Sequence, residues 1–196
     1  MMRYKIILLL VFAFAKADNI IAQHDNNTKI EQEERIDIAY FPIQARDMVF
    51  TLSKARKKIK YYKETDGSLI TYEAKFKLNG YKYSIECDQK GILIDIEVLI
   101  KKKEIASSVL NIITNNLKEI SNRFKVEKIQ KQFVINHQDS LSISNRLESN
   151  DFDNYEMIVA FKKDNKIYRK EMLFSKEGEL LKQRSVKKLK YDFILF

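Results

Sequence analysis

Asp151, Asp153 and Glu156 place three carboxylates within six residues. Oxygen donors at that density suit a hard cation such as calcium. A twelve-residue calcium loop opening at Asp151 would need an oxygen ligand where Tyr155 stands. It would also need a Gly where Glu156 stands and a Glu where Lys162 stands. The cluster therefore reads as a solvated loop. His24 and His137 have no Cys or second His at ligand spacing, which argues against zinc. Gly67, Gly80, Gly91 and Gly178 each fall at an expected turn, so no phosphate-cradling loop or nucleophile elbow is present. Cys87, the one cysteine, alternates with Ile85 and Tyr83 and reads as a small buried hydrophobe. No catalytic, cofactor-binding or metal-ligating residue is assigned, no cofactor is implied, and the chain is expected not to be an enzyme.

The elements that would position any site are announced by an export signal. Arg3 and Lys5 precede the apolar run Ile6–Ala15, and Ala15-Lys16-Ala17 fits the small-x-small rule for signal peptidase. Residues 1–17 are therefore expected to be a signal peptide cleaved after Ala17. The run is too short to span a bilayer, and no later run in the mature chain is long enough to be a transmembrane helix. Removal of the signal takes the net charge from +9 to +6 over 179 residues. The basic residues are interleaved with Glu and Asp, so the charge reads as a solvated surface and nucleic acid is not an expected partner. Residues 18–42 are polar and are expected to be a flexible lead-in.

Pro42 marks a helix start. Ala45, Met48, Val49, Leu52, Ala55 and Ile59 follow at spacings of three and four, one face of an amphipathic helix. The period then becomes two. Tyr72, Ala74, Phe76 and Leu78 alternate with Glu73, Lys75 and Lys77, and Asn79-Gly80 is a strong hairpin turn. Tyr83, Ile85 and Cys87 alternate with Lys82, Ser84 and Glu86. After Gly91, Ile92, Ile94, Ile96 and Val98 are placed on the apolar face, with Asp95 and Glu97 opposite. A second helix pattern at Ile105–Ile120, a strand at 124–135 and a second hairpin set at Tyr155–Lys182 follow. The polar stretch 136–154 has no counterpart in the first set and reads as an insertion.

The two sets share a Tyr-Glu start, a polar turn, a Tyr and a Gly turn. In the first, these are Tyr72, Glu73, Gly80, Tyr83, Asp88, Gly91 and Leu93. In the second, they are Tyr155, Glu156, Tyr168, Phe174, Gly178 and Leu180, with Ser175 in place of the turn acid and Asn165 in place of the turn Gly. This pattern resembles the PepSY-like family of exported bacterial proteins, also described as β-lactamase-inhibitor-protein-like (BLIP-like). The resemblance covers about residues 43–185. It implies an α+β fold of two tandem α-β-β-β repeats, residues 43–100 and 101–196. Their antiparallel sheet would carry its helices on one face. It also implies a periplasmic or extracellular protein of a Gram-negative bacterium. Such a protein would bind a protein or peptide partner in the cell envelope through its open sheet face. The alternative it implies is an inhibitor or chaperone-like regulator of a co-exported hydrolase. Residues out of phase with the core are the candidate contacts. In the first unit these are Glu73, Lys75, Lys77, Lys82, Glu86, Asp95 and Glu97. In the second they are Glu156, Ile158, Lys162, Arg169, Glu171 and Leu173.

Overall fold

The computed structural model describes residues 28–54 and 58–187. The signal peptide with its cleavage after Ala17, the first part of the lead-in and the last nine residues lie outside them. The described chain is an α+β fold: three α-helices and a ten-stranded sheet. Strands β1 (Thr28–Lys29) and β2 (Glu31–Ile36) come first, then α1 (Ile43–Ser53). After it run β3 (Lys60–Asp66), β4 (Leu69–Leu78), β5 (Tyr81–Cys87) and β6 (Leu93–Leu99). Next come α2 (Ser107–Ile120), β7 (Phe124–Val134), α3 (Ser140–Ser149), β8 (Asn154–Lys163), β9 (Lys166–Ser175) and β10 (Leu180–Val186). A helix leading into strands thus occurs twice, with four strands each time rather than three.

The lead-in is not the flexible segment expected in its described part. Ile30 alone separates β1 from β2, and the two pair with opposite ends of the sheet. β1 lies parallel to β10, and β2 lies antiparallel to β3. One short segment therefore nearly closes the sheet, pairing with the edge of β3 and with part of the edge of β10. Its sequence reads as disordered because its polar residues face charged neighbours, not a core. The insertion at 136–154 holds α3. Asp139 accepts the Ser142 N–H at 2.8 Å as its cap, and Asn150 ends it in the left-handed region. Helix α1 is shorter than its apolar period suggests, ending at Ser53 before a left-handed Lys54.

Both strand sets turn in the same way. Leu78 pairs with Tyr81 across Asn79 and Gly80, and Lys163 pairs with Lys166 across Asp164 and Asn165. All four turn residues have positive φ, the geometry that matches strand twist. A stacked Phe–Tyr pair follows each turn inward: Phe76 on Tyr83 at 5.4 Å and Phe161 on Tyr168 at 5.6 Å. At the next turn, Asp88 Oδ1 accepts the N–H groups of Lys90 and Ile92. Ser175 Oγ accepts those of Glu177 and Glu179, so the hydroxyl does the work of the missing acid.

A β-bulge then follows each Gly. Cys87 pairs with Leu93 but Glu86 pairs with Asp95, leaving Ile94 over. Likewise Leu181 is left over between Leu180 and Lys182. The bulge corrects the expected phase: Leu93 is buried and Ile94 is exposed, because one extra residue flips the alternation.

The core is one cluster. Ala45, Val49 and Leu52 of α1, Ile113 and Leu117 of α2 and Ile143 of α3 join it. So do Tyr61, Ala74, Ile85, Ile96, Phe133, Met157, Phe161 and Phe174 of the sheet. Each fully buried large side chain contributes roughly 1.5–3 kcal/mol. The Gly turns sit against the helix starts. A Cβ on Gly91 would lie 2.9 Å from Gln44 Cβ and 3.0 Å from Ala45 N, whereas one on Gly80 would meet nothing within 4 Å. Both glycines have positive φ. Gly80→Ala should therefore cost about 1 kcal/mol from backbone strain alone. Gly91→Ala should cost clearly more, about 2 kcal/mol or above. Urea unfolding of the two variants ranks them, and equal losses would refute the helix contact as the cause.

Candidate functional site

The other pleat face of the sheet carries polar residues, and closure turns that face inward. All ten strands contribute to the lining of one cavity of about 450 Å³. Its rows follow from register. Glu73 of β4 pairs with Glu86 of β5, which pairs with Asp95 of β6, so three carboxylates lie side by side. Like charges opposed across strands repel. Next to that row, Gln130 pairs with Glu156, and Ile158 pairs with Glu171.

The flanks of the cavity are neutralised by cations. On the seam, Arg184 holds Glu171 at 2.6 Å and Asp66 at 3.0 Å. Lys29 reaches Glu171 at 2.8 Å and also pairs with Glu31. The Ile30 N–H donates to Asp66 Oδ1 at 2.9 Å. On the opposite flank, Lys75 holds both Glu33 and Glu73 at 2.6 Å. The Ser84 hydroxyl donates to Glu73 as well. Burial pushes the Glu64 carboxyl well up, and Glu73 beside it pushes in the same direction. Burial would also raise Glu73, but the bond to Glu64 and the Lys75 cation hold it below the usual range. Glu64 thus carries the proton of that pair.

The floor is different. Burial raises Asp95 to about 8, helped by Glu86. Burial raises Glu97 to about 7, with Lys128 opposing and Asp95 adding to the rise. Burial raises Glu156 to about 8, with Glu97 and Glu171 adding to it. Glu86 is also raised, by burial first. Gln132 donates to Asp95 Oδ2 at 2.7 Å, and Gln130 donates to Glu97 Oε2 at 2.6 Å. Asp95 Oδ1 and Gln130 Oε1 are buried without a hydrogen-bond partner. Two orphaned acceptors are a deficit of donors.

Nine of the thirteen sequence-derived contact residues meet here: Glu73, Lys75, Lys82, Glu86, Asp95, Glu97, Glu156, Ile158 and Glu171. The face they share is not the open one expected, since Glu73, Asp95 and Glu171 are each only 7% exposed and Ile158 is 6%. Closure by β1 and β2 buries them. Lys77 and Lys162 lie exposed outside the cavity. Arg169 is turned to Glu127 at 2.7 Å, and Leu173 is half-buried opposite Glu156 without lining the cavity. Lys29, Glu64, Gln130, Gln132 and Arg184 also line the cavity and are not among the thirteen. The alternation Lys128, Gln130, Gln132 against Ile129, Lys131, Phe133 carried that signal for β7.

The dense acidic stretch is divided. Asp153 accepts from Arg146 at 2.8 Å and from the Val134 N–H at 2.7 Å, fastening α3, while Glu156 enters the cavity. Cys87 is buried in the core, and burial pushes its thiol up to about 12. Its thiolate is not available for nucleophilic chemistry near neutral pH. His137 is exposed. No helix among the described residues is long and apolar enough to cross a membrane.

No family model matches the chain, and no curated protein matches it. Among solved structures it is similar to a DUF2874 family protein from Bacteroides ovatus. The two are 12% identical with a TM-score of 0.51, over 74% of this chain and 86% of that one. It is similar to a candidate periplasmic protein from Bacteroides eggerthii at 15% identity and a TM-score of 0.50, over 74% and 88%. A BLIP-like protein from Bacteroides fragilis is 17% identical with a TM-score of 0.49, over 78% and 92%. At such identities the first two likenesses are of fold.

The raised carboxyls set a pH dependence. Their folded pKa values lie above the unfolded ones near 4, so the native state binds more protons between about pH 5 and 8. Stability is therefore full at the acid end of that window and falls as pH rises. Each floor carboxyl contributes a slope of up to about 1.4 kcal/mol per pH unit. Glu73 and Glu171, whose values are lowered, are ionised in both states there and add nothing. Thermal melts of wild type should show Tm falling from about pH 6 to about pH 8.5, and Asp95→Asn should flatten the fall. A Tm that rises over the same range would contradict this.

Proposed function

We propose that the chain is an exported, non-enzymatic binding module that receives a protein or peptide partner at the inward polar face of its sheet. The observation that carries this reading is the charged cavity to which all ten strands contribute. A buried charged face costs free energy and adds nothing to a core, so its retention points to use. The matched turns, Phe–Tyr stacks and bulges favour two copies of one PepSY-like unit, with the first unit at 43–100 and the second at 101–196. The signal-peptide pattern at 1–17 supports export to the periplasm or beyond. The inaccessible Cys87 thiolate and the exposed His137 favour binding over nucleophilic catalysis.

A photo-crosslinking residue separates the faces. It is placed at Leu69 or Leu99, which line the cavity, or at Ile112, exposed on α2. In the native host, adducts should form from Leu69 or Leu99 and not from Ile112. Adducts from Ile112 alone, or none from the cavity positions, would overturn the reading.

A further inference from the structure

The cavity floor lacks one component that its flanks have. Among the described residues, Glu73, Glu171, Asp66 and Glu33 each have a lysine or arginine nitrogen at 2.6–3.0 Å. Glu86, Asp95, Glu97 and Glu156 have none within ion-pair distance. Four carboxyl groups from three strands thus face one space without a counter-ion in contact. Independently, the Gln130 amide oxygen and Asp95 Oδ1 stand buried with no donor. Gln130 is only 4% exposed. The floor therefore asks for positive charge and for hydrogen-bond donors together.

A metal ion would supply the charge, but the geometry disfavours one. The described carboxylates that bring three ligand atoms within 4.8 Å of one another are Glu33, Glu64 and Glu73, on the flank. That trio is already served by Lys75 and by the proton between Glu64 and Glu73. The floor carboxyls are too dispersed for one small ion, yet suited to a cation whose N–H groups point in several directions. Ile158 and Leu99 add apolar wall beside them. Such a wall suits a charge carried on an alkyl stem.

We propose that the floor binds an N–H-bearing organic cation, an ammonium on an alkyl chain. Its donors would satisfy Gln130 and Asp95, and its charge would be balanced by Asp95, Glu97 and Glu156. This rests on the binding-module reading and specifies its ligand chemistry. The ammonium comes either as the end of a lysine side chain on a peptide or as a free amine. Binding exchanges charge for protons: the cation enters as carboxyl protons leave to solvent. Lys128 and Lys29 lie near enough to act on the floor carboxyls electrostatically, and Arg184 acts on Glu156 through the seam. These permanent cations leave the net demand of the floor unmet in contact distance.

Calorimetric titration of the purified protein tests this with cadaverine, with acetyl-Gly-Lys-Gly-amide and with calcium chloride. Each is run at about pH 8.5 and about pH 6, where a displaced proton costs about tenfold in affinity per unit below its pKa. At least one amine should bind, about tenfold or more tighter at the higher pH, with protons released to buffer. The peptide and diamine arms identify the source. Asp95→Asn with Glu156→Gln should weaken binding about tenfold or more while melting cooperatively, because each amide copies the protonated acid. The idea fails if neither amine binds below about 10 mM. It fails equally if the folded double variant binds as well as wild type, or if calcium binds and the amines do not. Cavity crosslinks to a partner with no amine binding would sink this inference and leave the module reading standing.

Discussion

The Arg184 guanidinium is the interaction on which the architecture depends. It stands on β10 and grips Asp66 at the end of β3, with Glu171 held between it and Lys29. These groups belong to opposite ends of a ten-strand sheet. Joined, they fold the polar pleat face inward and leave the apolar face for the core cluster that the helices complete. The usual arrangement of a small barrel, with apolar filling inside, is reversed. Arg184 and Asp66 are each about a quarter exposed, whereas the Glu171 side chain is 9% exposed, so Glu171 is the group that would be left a lone buried charge without its cations.

Reversal has an electrostatic consequence. Charges taken out of water must be paired or neutralised. The sheet does both, and in different places. Pairing occurs at the two flanks, where Lys29, Arg184 and Lys75 are available. Neutralisation by proton occurs at the floor, where Asp95 and Glu156 hold theirs to about pH 8. The division follows strand position. The flanks border the closing strands β1 and β2, which bring Lys29 and Glu33 to them. The floor lies on β5 to β8, where the residues directly across from its carboxyls (Glu73, Ser84, Gln130, Gln132, Val134 and Leu173, besides one another) include no lysine or arginine.

Much of this was legible in the sequence, and the limits are physical. Alternation placed Tyr155, Met157, Val159 and Phe161 in the core and Glu156 opposite, as the structure has them. Positive-φ turn residues located both tight hairpins. Three things were not legible. The bulge at Ile94 reverses the phase at the start of β6 alone, burying Leu93 while Ile96 and Val98 keep the expected side, and a bulge depends on its partner strand, not on local composition. Strand β2, EQEERI, has the composition of a solvated segment; its backbone pairing with β3 makes it a strand. The curl of the sheet is a property of all ten strands together. Alternation within a single strand marks a polar face but carries no sign that the sheet curls over it.

The closing segment also fixes an order in time. Lys29 must find Glu171 across 142 residues, and Asp66 must find Arg184 across 118. Helix α1 and strands β3 to β6 can assemble from neighbours alone, but the ring has no second end until β10 exists. Contacts that distant carry the largest loop-closure cost and form late. The first strand of the described chain is therefore among the last to be secured. Any ligand held within the ring can be captured only after the chain has been made through to Val186.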